Sequence, residues 1–414
     1  MFDIDTQSEL FNEFISPGVI AEIRAGSKLF DQIRKDWKQV NVYGEYATQK
    51  LLMAASQSNR ASSNSSYPDP AESDPGKTIV YIKRAQMFSL HFDGLAMEAA
   101  ERNGTPISPI EFERKGIFIS ISDDMSRQLM GDGGARVAQC VGAGVATNTL
   151  TLDHPWHANG TKFLKAKRVI DIYTSAVPGV QEVDSVKITS RDSNTQVTLE
   201  SPVSWSNDSY VFNEDVHTET EGLGLGEMMG LMGVISDEDP PKPNAGGLQN
   251  LDVGTYPDWI AYVDTNGGVD RPLVEDLFIQ ALDESEDYAT CNVILVSRGV
   301  RRSWFSILSS YKTLPNTKVM WGGWSGLPFF FDGREIPVVP DKFVPDGTAL
   351  GISQDNLIMH VLNPQLITWE KGDASNILQK VAGKNEYVAE GHIFGNVGTG
   401  LRKAFWRIGD IQEP

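Results

Sequence analysis

The chain has little cysteine, little histidine, little positive charge and no long apolar run. Two cysteines and six histidines stand among 414 residues. Cys140 and Cys291 are too few and too far apart for a disulfide framework or a four-thiolate zinc site, which makes a reducing compartment the default. No stretch approaches the roughly 18 apolar residues that a membrane span needs. The opening Met-Phe-Asp-Ile-Asp sets acids where a secretory signal carries positive charge. Thirty-six basic residues against 55 acidic leave a formal net charge of −19. A surface of that sign repels phosphate backbones. The densest basic runs, Lys165 to Arg168 and Arg298 to Arg302, are too short to reverse it and read as solvated faces.

Signatures of chemistry are scarce as well. The one glycine-rich candidate, Gly222-Leu-Gly224-Leu-Gly226 running to Gly230, lacks a Walker Lys-Ser/Thr, a preceding strand and the dinucleotide spacing. Asp153, His154 and His157 form the only local metal-ligand cluster, but Pro155 disfavours a helix that would align the imidazoles, and nothing marks further ligands. His91, His217, His360 and His392 stand alone. Cys140 and Cys291 sit among apolar residues, where a thiol is inert packing, and no G-x-S-x-G elbow occurs. Asp123-Asp124 and Glu284 to Asp287 read as solvated helix faces. Lys77 and Lys83 could in principle attack an Asn carboxamide of a neighbour, but solvated lysines are the simpler reading. No catalytic, cofactor or metal residue is assigned.

What is present is a sequence of dissimilar regions. Leu10, Phe11, Phe14 and Ile15 make one amphipathic turn, followed by a short helix around Ala21 to Ile33. Trp37 to Tyr43 and Thr78 to Phe88 read as strands of a long hairpin. Ser56 to Gly76, between them, is too polar to fold alone and suits an intermolecular reach. A short helix is expected at Gly94 to Arg102. Ser108-Pro109-Ile110-Glu111 then supplies an N-cap, a first-turn proline and a capping-box acid. Ile110, Ile117, Ile121, Met125 and Leu129 continue on one face until Gly131-Asp132-Gly133-Gly134, a rod of about 22 residues or roughly 33 Å.

Short strands follow at Val169 to Tyr173, Val183 to Ser190, Gln196 to Glu200 and Ser209 to Phe212, and read as an inserted β-domain. After an irregular connection comes an α/β pattern. Leu273 to Leu282 is a helix, Asn292 to Val296 a buried strand, and Val300, Trp304, Phe305 and Leu308 line a second helix. A hairpin turns at Asp332-Gly333, and strands recur at Asn356 to Val361, Tyr387 to Phe394 and Leu401 to Ile408. No internal repeat is visible.

Arg127-Gln128-Leu129-Met130-Gly131-Asp132-Gly133-Gly134 resembles a stretch of tailed-phage coat sequences. So do Val300-Arg301-Arg302-Ser303-Trp304 and Gly322-Gly323-Trp324-Ser325-Gly326-Leu327, the latter followed by Gly333-Arg334-Glu335-Ile336-Pro337-Val338-Val339. With the order of regions, the chain resembles the tailed-phage major capsid protein of the Hong Kong 97 fold family. The resemblance implies an α+β fold with an N-terminal arm (1–35), an extended β-hairpin loop (36–90), a spine helix near 109–130 within a first peripheral part (91–141), a connecting segment (216–264), an axial domain (265–365) and a second peripheral part (366–414). The β-rich insertion (142–215) is a departure from the minimal fold.

It also implies a non-enzymatic role: a head protein that assembles with itself into hexamers and pentamers of an icosahedral shell enclosing double-stranded DNA, without sequence-specific binding and without a membrane. Assembly in the host cytoplasm, a location in the virion capsid, a portal protein and separate scaffold and decoration proteins are the expected setting. A start at Met1 without a long charged helical leader implies that any scaffold is a separate chain. Inter-subunit contacts are expected at the hairpin strands (Trp37, Tyr43, Lys77, Lys83), on the exposed rod (Glu111, Glu113, Arg114, Lys115) and at the capsomer axis (Trp321, Trp324). An encapsulin-like nanocompartment shell, set apart by a protein cargo, and a cytosolic α/β enzyme are the alternatives.

Overall fold

The computed structural model describes residues 28–54, 74–93, 109–174, 179–216, 227–240, 247–286, 288–310, 319–321, 324–371, 377 and 379–414. A short helix, α1 (Lys28–Gln32), leads into β1 (Arg34–Asp36). Asn41 then reverses the chain. Its Oδ1 accepts the amides of Glu45 and Tyr46 at 2.9 and 3.3 Å, and Gly44 takes a φ of 71°. The chain runs out as β2 (Tyr46–Ala54) and back as β3 (Asp74–Tyr81), an antiparallel ribbon that pairs with no further named strand among the described residues.

The ribbon corrects the expected hairpin in two ways. Trp37 to Tyr43 is turns rather than a strand, because the Asn41 side chain and Gly44 build a reversal there. Thr78 to Phe88 is split, because β4 (Lys83–Asp93) leaves the ribbon and pairs along β20 (Glu386–Thr399) from Lys83 to Asp93. The amphipathic turn at Leu10 to Ile15, the helix at Gly94 to Arg102 and most of Ser56 to Gly76 lie outside the described residues.

The rod is α2 (Pro109–Met130), 22 residues long and starting at the expected proline. Phe118, Ile121, Met125 and Leu129 are buried. Ser122, Asp124, Ser126, Arg127 and Gln128 are buried too, so only the part around Lys115 and Ile119 is an exposed rod. One wall is the six-stranded sheet built on β20. That strand carries β4 on one edge, while β17 (Leu357–Val361), β18 (Thr368–Trp369) and β19 (Gln379–Lys380) share the other. β1 extends it in parallel with β17. A second wall is the segment leading into α3 (Leu231–Val234), where Met228, Met229 and Leu231 join the rod's core.

After the rod, β5 (Ala138–Cys140), β6 (Gly144–Asp153), β7 (Val169–Tyr173), β8 (Gln181–Arg191), β9 (Gln196–Trp205) and β10 (Tyr210–Asn213) close a barrel in the order β10-β5-β6-β9-β8-β7. Closure removes the unpaired edges that a small inserted sheet would otherwise expose. Leu150, Ile170, Ile172, Ile188, Val197 and Val211 fill it. The barrel joins the body through residues 154–168.

A seven-stranded sheet forms the other unit, in the order β11 (Tyr262–Asp264), β21 (Trp406–Ile408), β16 (Ala349–Ile352), β12 (Val293–Val296), β15 (Arg334–Pro340), β14 (Trp324–Phe331) and β13 (Val319–Trp321). Helices α4 (Glu275–Glu286) and α5 (Arg298–Ser310) lie together on one face, with Phe278 meeting Trp304, Phe329 and Trp406 at ring-centroid distances of 5.6, 5.5 and 5.9 Å. Asp332 and Gly333 turn β14 into β15 with φ of 45° and 74°, the left-handed pair that suits a two-residue hairpin.

The expected strand from Leu401 to Ile408 is instead a 3-10 turn, Arg402–Ala404, followed by β21. The chain thus leaves the β20 sheet and enters the other, so the expected cut at 365/366 does not follow the sheets. Arg402 is the reason. Fully buried, its guanidinium donates to the carbonyls of Gly233, Val234, Glu238 and Trp259, which bends the chain between the layers. Among the described residues, no helix is long and apolar enough to cross a membrane.

Candidate assembly surfaces and the junction that holds them

Among the described residues no group of three His, Cys, Asp or Glu could hold a metal. Cys140 and Cys291 are buried, and burial with Glu182 nearby pushes the Cys140 thiol up to about 12, far from a thiolate. The surfaces open to another chain rest on a buried junction at the end of the rod helix.

The junction centres on Arg127. Its Nη1 donates to Glu227 at 2.9 Å and its Nη2 also donates to Glu227, while Nε and Nη2 reach Asp124 at 3.2 and 3.1 Å. Gln128 donates to Asp124 at 3.1 Å, and Arg168 from the barrel adds a contact at 3.4 Å. Burial alone would raise the Asp124 carboxyl, but Arg127 and Arg168 outweigh it and hold it below the usual range. Asp124 is therefore a structural counter-ion and not the expected solvated acid. Arg127 and Gln128 are three and four positions on, but Arg168 is 44 away, and Arg127's other carboxylate, Glu227, lies 100 positions from it, which hid the role. The visible trace was Asp124, Arg127 and Gln128 at helical spacing on the flank of the apolar stripe.

The rest of the coat-like stretch works locally. Asp132 accepts the Gly134 amide and the Arg136 guanidinium, both at 2.8 Å. Gly230 lies so close that a Cβ there would stand 2.2 Å from the Gln128 carbonyl oxygen and 2.6 Å from that of Gly131. The glycine-rich candidate thus ends in a backbone approach to the rod, while Gly222 to Gly226 lies outside the described residues.

The Asp153, His154, His157 cluster forms the barrel's second attachment. The two imidazole centroids are 4.8 Å apart. Burial, with His157 and Lys162 adding, pushes His154 down to about 3. His157 is also lowered, by burial against the pull of Asp346, whose carboxylate is 3.5 Å away. Lys162 donates to His157 Nδ1 at 3.1 Å. Phe163 stacks on Phe343, the Asp346 amide donates to Trp156, and Lys165 and Lys342 both reach Asp123, at 3.1 and 2.7 Å. Asp123 is held low because these lysines outweigh its partial burial. These residues bind barrel, rod and the 341–346 loop to one another.

The residues expected at subunit contacts do not converge. Trp37 and Tyr43 are exposed, 48% and 86%, on the reversal before the ribbon rather than on its strands. Lys77 sits opposite Lys50 in the ribbon, and Lys83 opens β4 opposite Gly395. Glu111, Glu113 and Arg114 lie in the first turns of α2, and Lys115 is exposed. Trp321 and Trp324 face each other at the end of the β13–β14 hairpin. The side chains of Lys77, Lys83, Glu111, Glu113, Arg114, Trp321 and Trp324 lie outside the described residues. Reasoning from sequence missed Val42, 99% exposed beside Tyr43, and the exposed valines of the barrel, Val141, Val145 and Val180.

No family model matches the chain, and no curated protein matches it. Solved structures do. A chain of the cyanophage A-1(L) capsid asymmetric unit matches with a TM-score of 0.53 at 10% identity, covering 93% of this chain and 92% of that one. The holo-SrpI encapsulin complex from Synechococcus elongatus PCC 7942 gives 0.44 at 7% identity, with 93% and 87% covered. The capsid of Myoviridae phage XM1 gives 0.42 at 7% identity, with 92% and 91% covered. At such identities the first of these establishes fold, and the chain has the α+β fold of a Hong Kong 97-like capsid subunit with a closed barrel inserted after its rod helix.

Proposed function

We propose that the chain is the major capsid protein of a tailed double-stranded DNA bacteriophage and assembles with itself into hexamers and pentamers of an icosahedral shell around the genome. The observation that carries this reading is the β2–β3 ribbon. A lone two-stranded hairpin is marginal in water, yet among the described residues this one joins no further strand of its own subunit beyond a bridge of Val40 to Ala47 at its base. Its base is anchored, with the Ile79 amide on Gln249 at 3.0 Å and Asn396 on the Tyr81 carbonyl at 2.8 Å. A ribbon fixed at its base, with no further strand of its own subunit along it among the described residues, suits a neighbour's surface. The capsid fold supports the same conclusion.

In this reading, 1–35 is the arm, 36–90 the extended loop, 91–141 with the β20 sheet the peripheral domain, and the seven-stranded sheet, completed by β11 and β21, the axial domain. The barrel is an insertion. The shell encloses DNA without reading it, and the net charge of −19 keeps its lining from trapping the polymer. A portal protein, with scaffold and decoration proteins as separate chains, completes the particle. The role is structural and not enzymatic.

The test is negative-stain microscopy with sedimentation of the protein over a range of concentrations, beside a variant in which 56–76 is replaced by a short Gly-Ser turn. Closed shells or capsomer rings are expected for the intact chain, and loss of both for the variant at an unchanged melting profile. A small monodisperse oligomer at every concentration, or association indifferent to the deletion, defeats the reading.

A further inference from the structure

The basic run Lys165 to Arg168, which in sequence suggests a solvated face, lies partly inward. Its segment is a series of turns, in which the amides of Lys162, Leu164 and Arg168 donate to the carbonyls of Asn159, Thr161 and Lys165. Lys162, Lys165 and Arg168 recur at every third position along it. All three border one cleft of about 120 Å³, set between the rod, the segment that joins the barrel to the body, and the 341–346 loop. Lys167, by contrast, is exposed and takes no part in the lining.

The rod adds Arg127 to the cleft and the loop adds Lys342, so five cations meet two carboxylates, Asp123 and Asp124, in a chain of net charge −19. Arg127 and Asp124 engage each other, and Arg127 also holds Glu227. The excess therefore resides in Lys162, Lys165, Arg168 and Lys342, against Asp123.

These four are loosely committed. Lys165 and Lys342 reach opposite oxygens of Asp123 at 3.1 and 2.7 Å, so one carboxylate serves two ammonium groups. Each ammonium has further N–H groups to offer. Arg168 holds the Phe163 carbonyl at 3.3 Å and Asp124 at 3.4 Å, both long for a guanidinium donor. Lys162 donates to His157 Nδ1 at 3.1 Å and forms no ion pair among the described residues; Asp346 and Asp341 act on it only through space. Phe163 and Phe343, stacked 6.2 Å apart, give the cleft an apolar wall. Cations gathered beside such a wall repel one another, and an anion among them removes that repulsion.

Shape narrows the class of anion. The donors converge from two sides, the joining segment and the loop, which suits a ligand with acceptors in several directions. A tetrahedral oxyanion has them, and it takes both ammonium and guanidinium donors. The volume is well above what one water needs.

We propose that this cleft is a phosphate site, in which Lys162, Lys165, Arg168 and Lys342 hold one phosphoryl group between barrel, rod and loop. That group belongs to inorganic phosphate or to a nucleic-acid backbone, two sources of one chemistry. Asp123 is a competitor built into the site, because its carboxylate occupies two lysines that the anion needs. The cleft lies within one subunit, so its occupancy does not depend on assembly.

Titration calorimetry with inorganic phosphate, at an ionic strength held constant with chloride, tests it. The parent should bind, and its melting temperature should rise with phosphate concentration. Asp123→Asn should tighten binding by about fivefold or more, since it releases two ammonium groups and removes a like charge. A carboxylate with a structural role alone gives no such gain. Lys165→Gln with Lys342→Gln should weaken binding by about tenfold or more, while Lys167→Gln leaves it unchanged. If the double lysine variant melts early in chloride alone, Asp123→Asn, which keeps every cation, decides. A short DNA duplex at equal phosphate concentration separates the sources: competition with inorganic phosphate identifies the backbone as a ligand, and indifference identifies the free ion. Absence of heat and of a melting shift in the parent, or an Asp123→Asn variant that binds no tighter, overturns the site. Equal weakening by Lys167→Gln overturns it as well, because general charge attraction then accounts for the binding.

Discussion

Acid should loosen the barrel's attachment well before carboxylates protonate. His154 is buried as a neutral imidazole beside His157, Lys162, Arg127 and Arg136, all of which disfavour its protonation, and its pKa is pushed down to about 3. In the unfolded chain it titrates near its ordinary value of about 6.5. Below that pH the unfolded state takes up a proton that the folded state refuses. The stability is therefore complete above about pH 6.5 and is lost progressively as pH falls toward 3. Linkage gives about 2 kcal/mol lost from His154 alone by pH 5, and about 5 kcal/mol over the whole window. His157 and His360 are lowered in the same direction, by burial, and add to the loss. Asp123, Asp124 and Asp346 are held low and act only below about pH 4. Urea unfolding of the parent and of His154→Gln at pH 7.0, 6.0 and 5.0 isolates the contribution. Glutamine can accept the Trp156 amide, as His154 Nδ1 does at 3.2 Å, without titrating. The parent should lose about 2 kcal/mol more than the variant between pH 7 and 5. Equal losses in the two proteins would refute the assignment of a buried neutral imidazole.

Two further outcomes follow from close contacts. Arg402→Met removes a buried guanidinium from four backbone carbonyls and should destabilise the chain by about 3–5 kcal/mol; a loss below about 1 kcal/mol in chemical denaturation would show that those carbonyls find other donors. Gly230→Ala forces a methyl group against two carbonyl oxygens of the rod's end and should cost about 1–3 kcal/mol, read as a lowered melting temperature; an unchanged melting temperature would mean that the rod terminus yields freely.

The rod was legible because its signals are local: a capping Ser, a first-turn Pro and a glycine stop each act within one turn of backbone, and α2 begins at Pro109 and ends at Met130. The Asp332-Gly333 turn was legible for the same reason. β2 was not, since Tyr-Ala-Thr-Gln-Lys-Leu-Leu-Met-Ala is rich in good helix formers, and only pairing with β3, more than twenty residues on, makes it a strand. β6 escaped because the inward positions near its start are small, leaving Leu150 and Leu152 as its buried apolar side chains. The expected contact residues show the limit most clearly. Trp37, Tyr43, Lys115 and Trp321 were chosen by region, and a region does not say which face meets a neighbour.

The position of β21 has a consequence for the order of events during synthesis. It lies inside the seven-stranded sheet, between β11 and β16, and among the described residues β11 has no other partner strand. The ribosome therefore delivers β11, α4, β12, α5 and the β13–β16 strands well before the strand that completes their sheet. Until residue 408 has emerged, β11 cannot dock and Trp406 cannot fill the core beneath Phe278. Long-range closure of this kind is slow and is reached late. The core around Phe278 is therefore completed only when translation has passed the Arg402 bend.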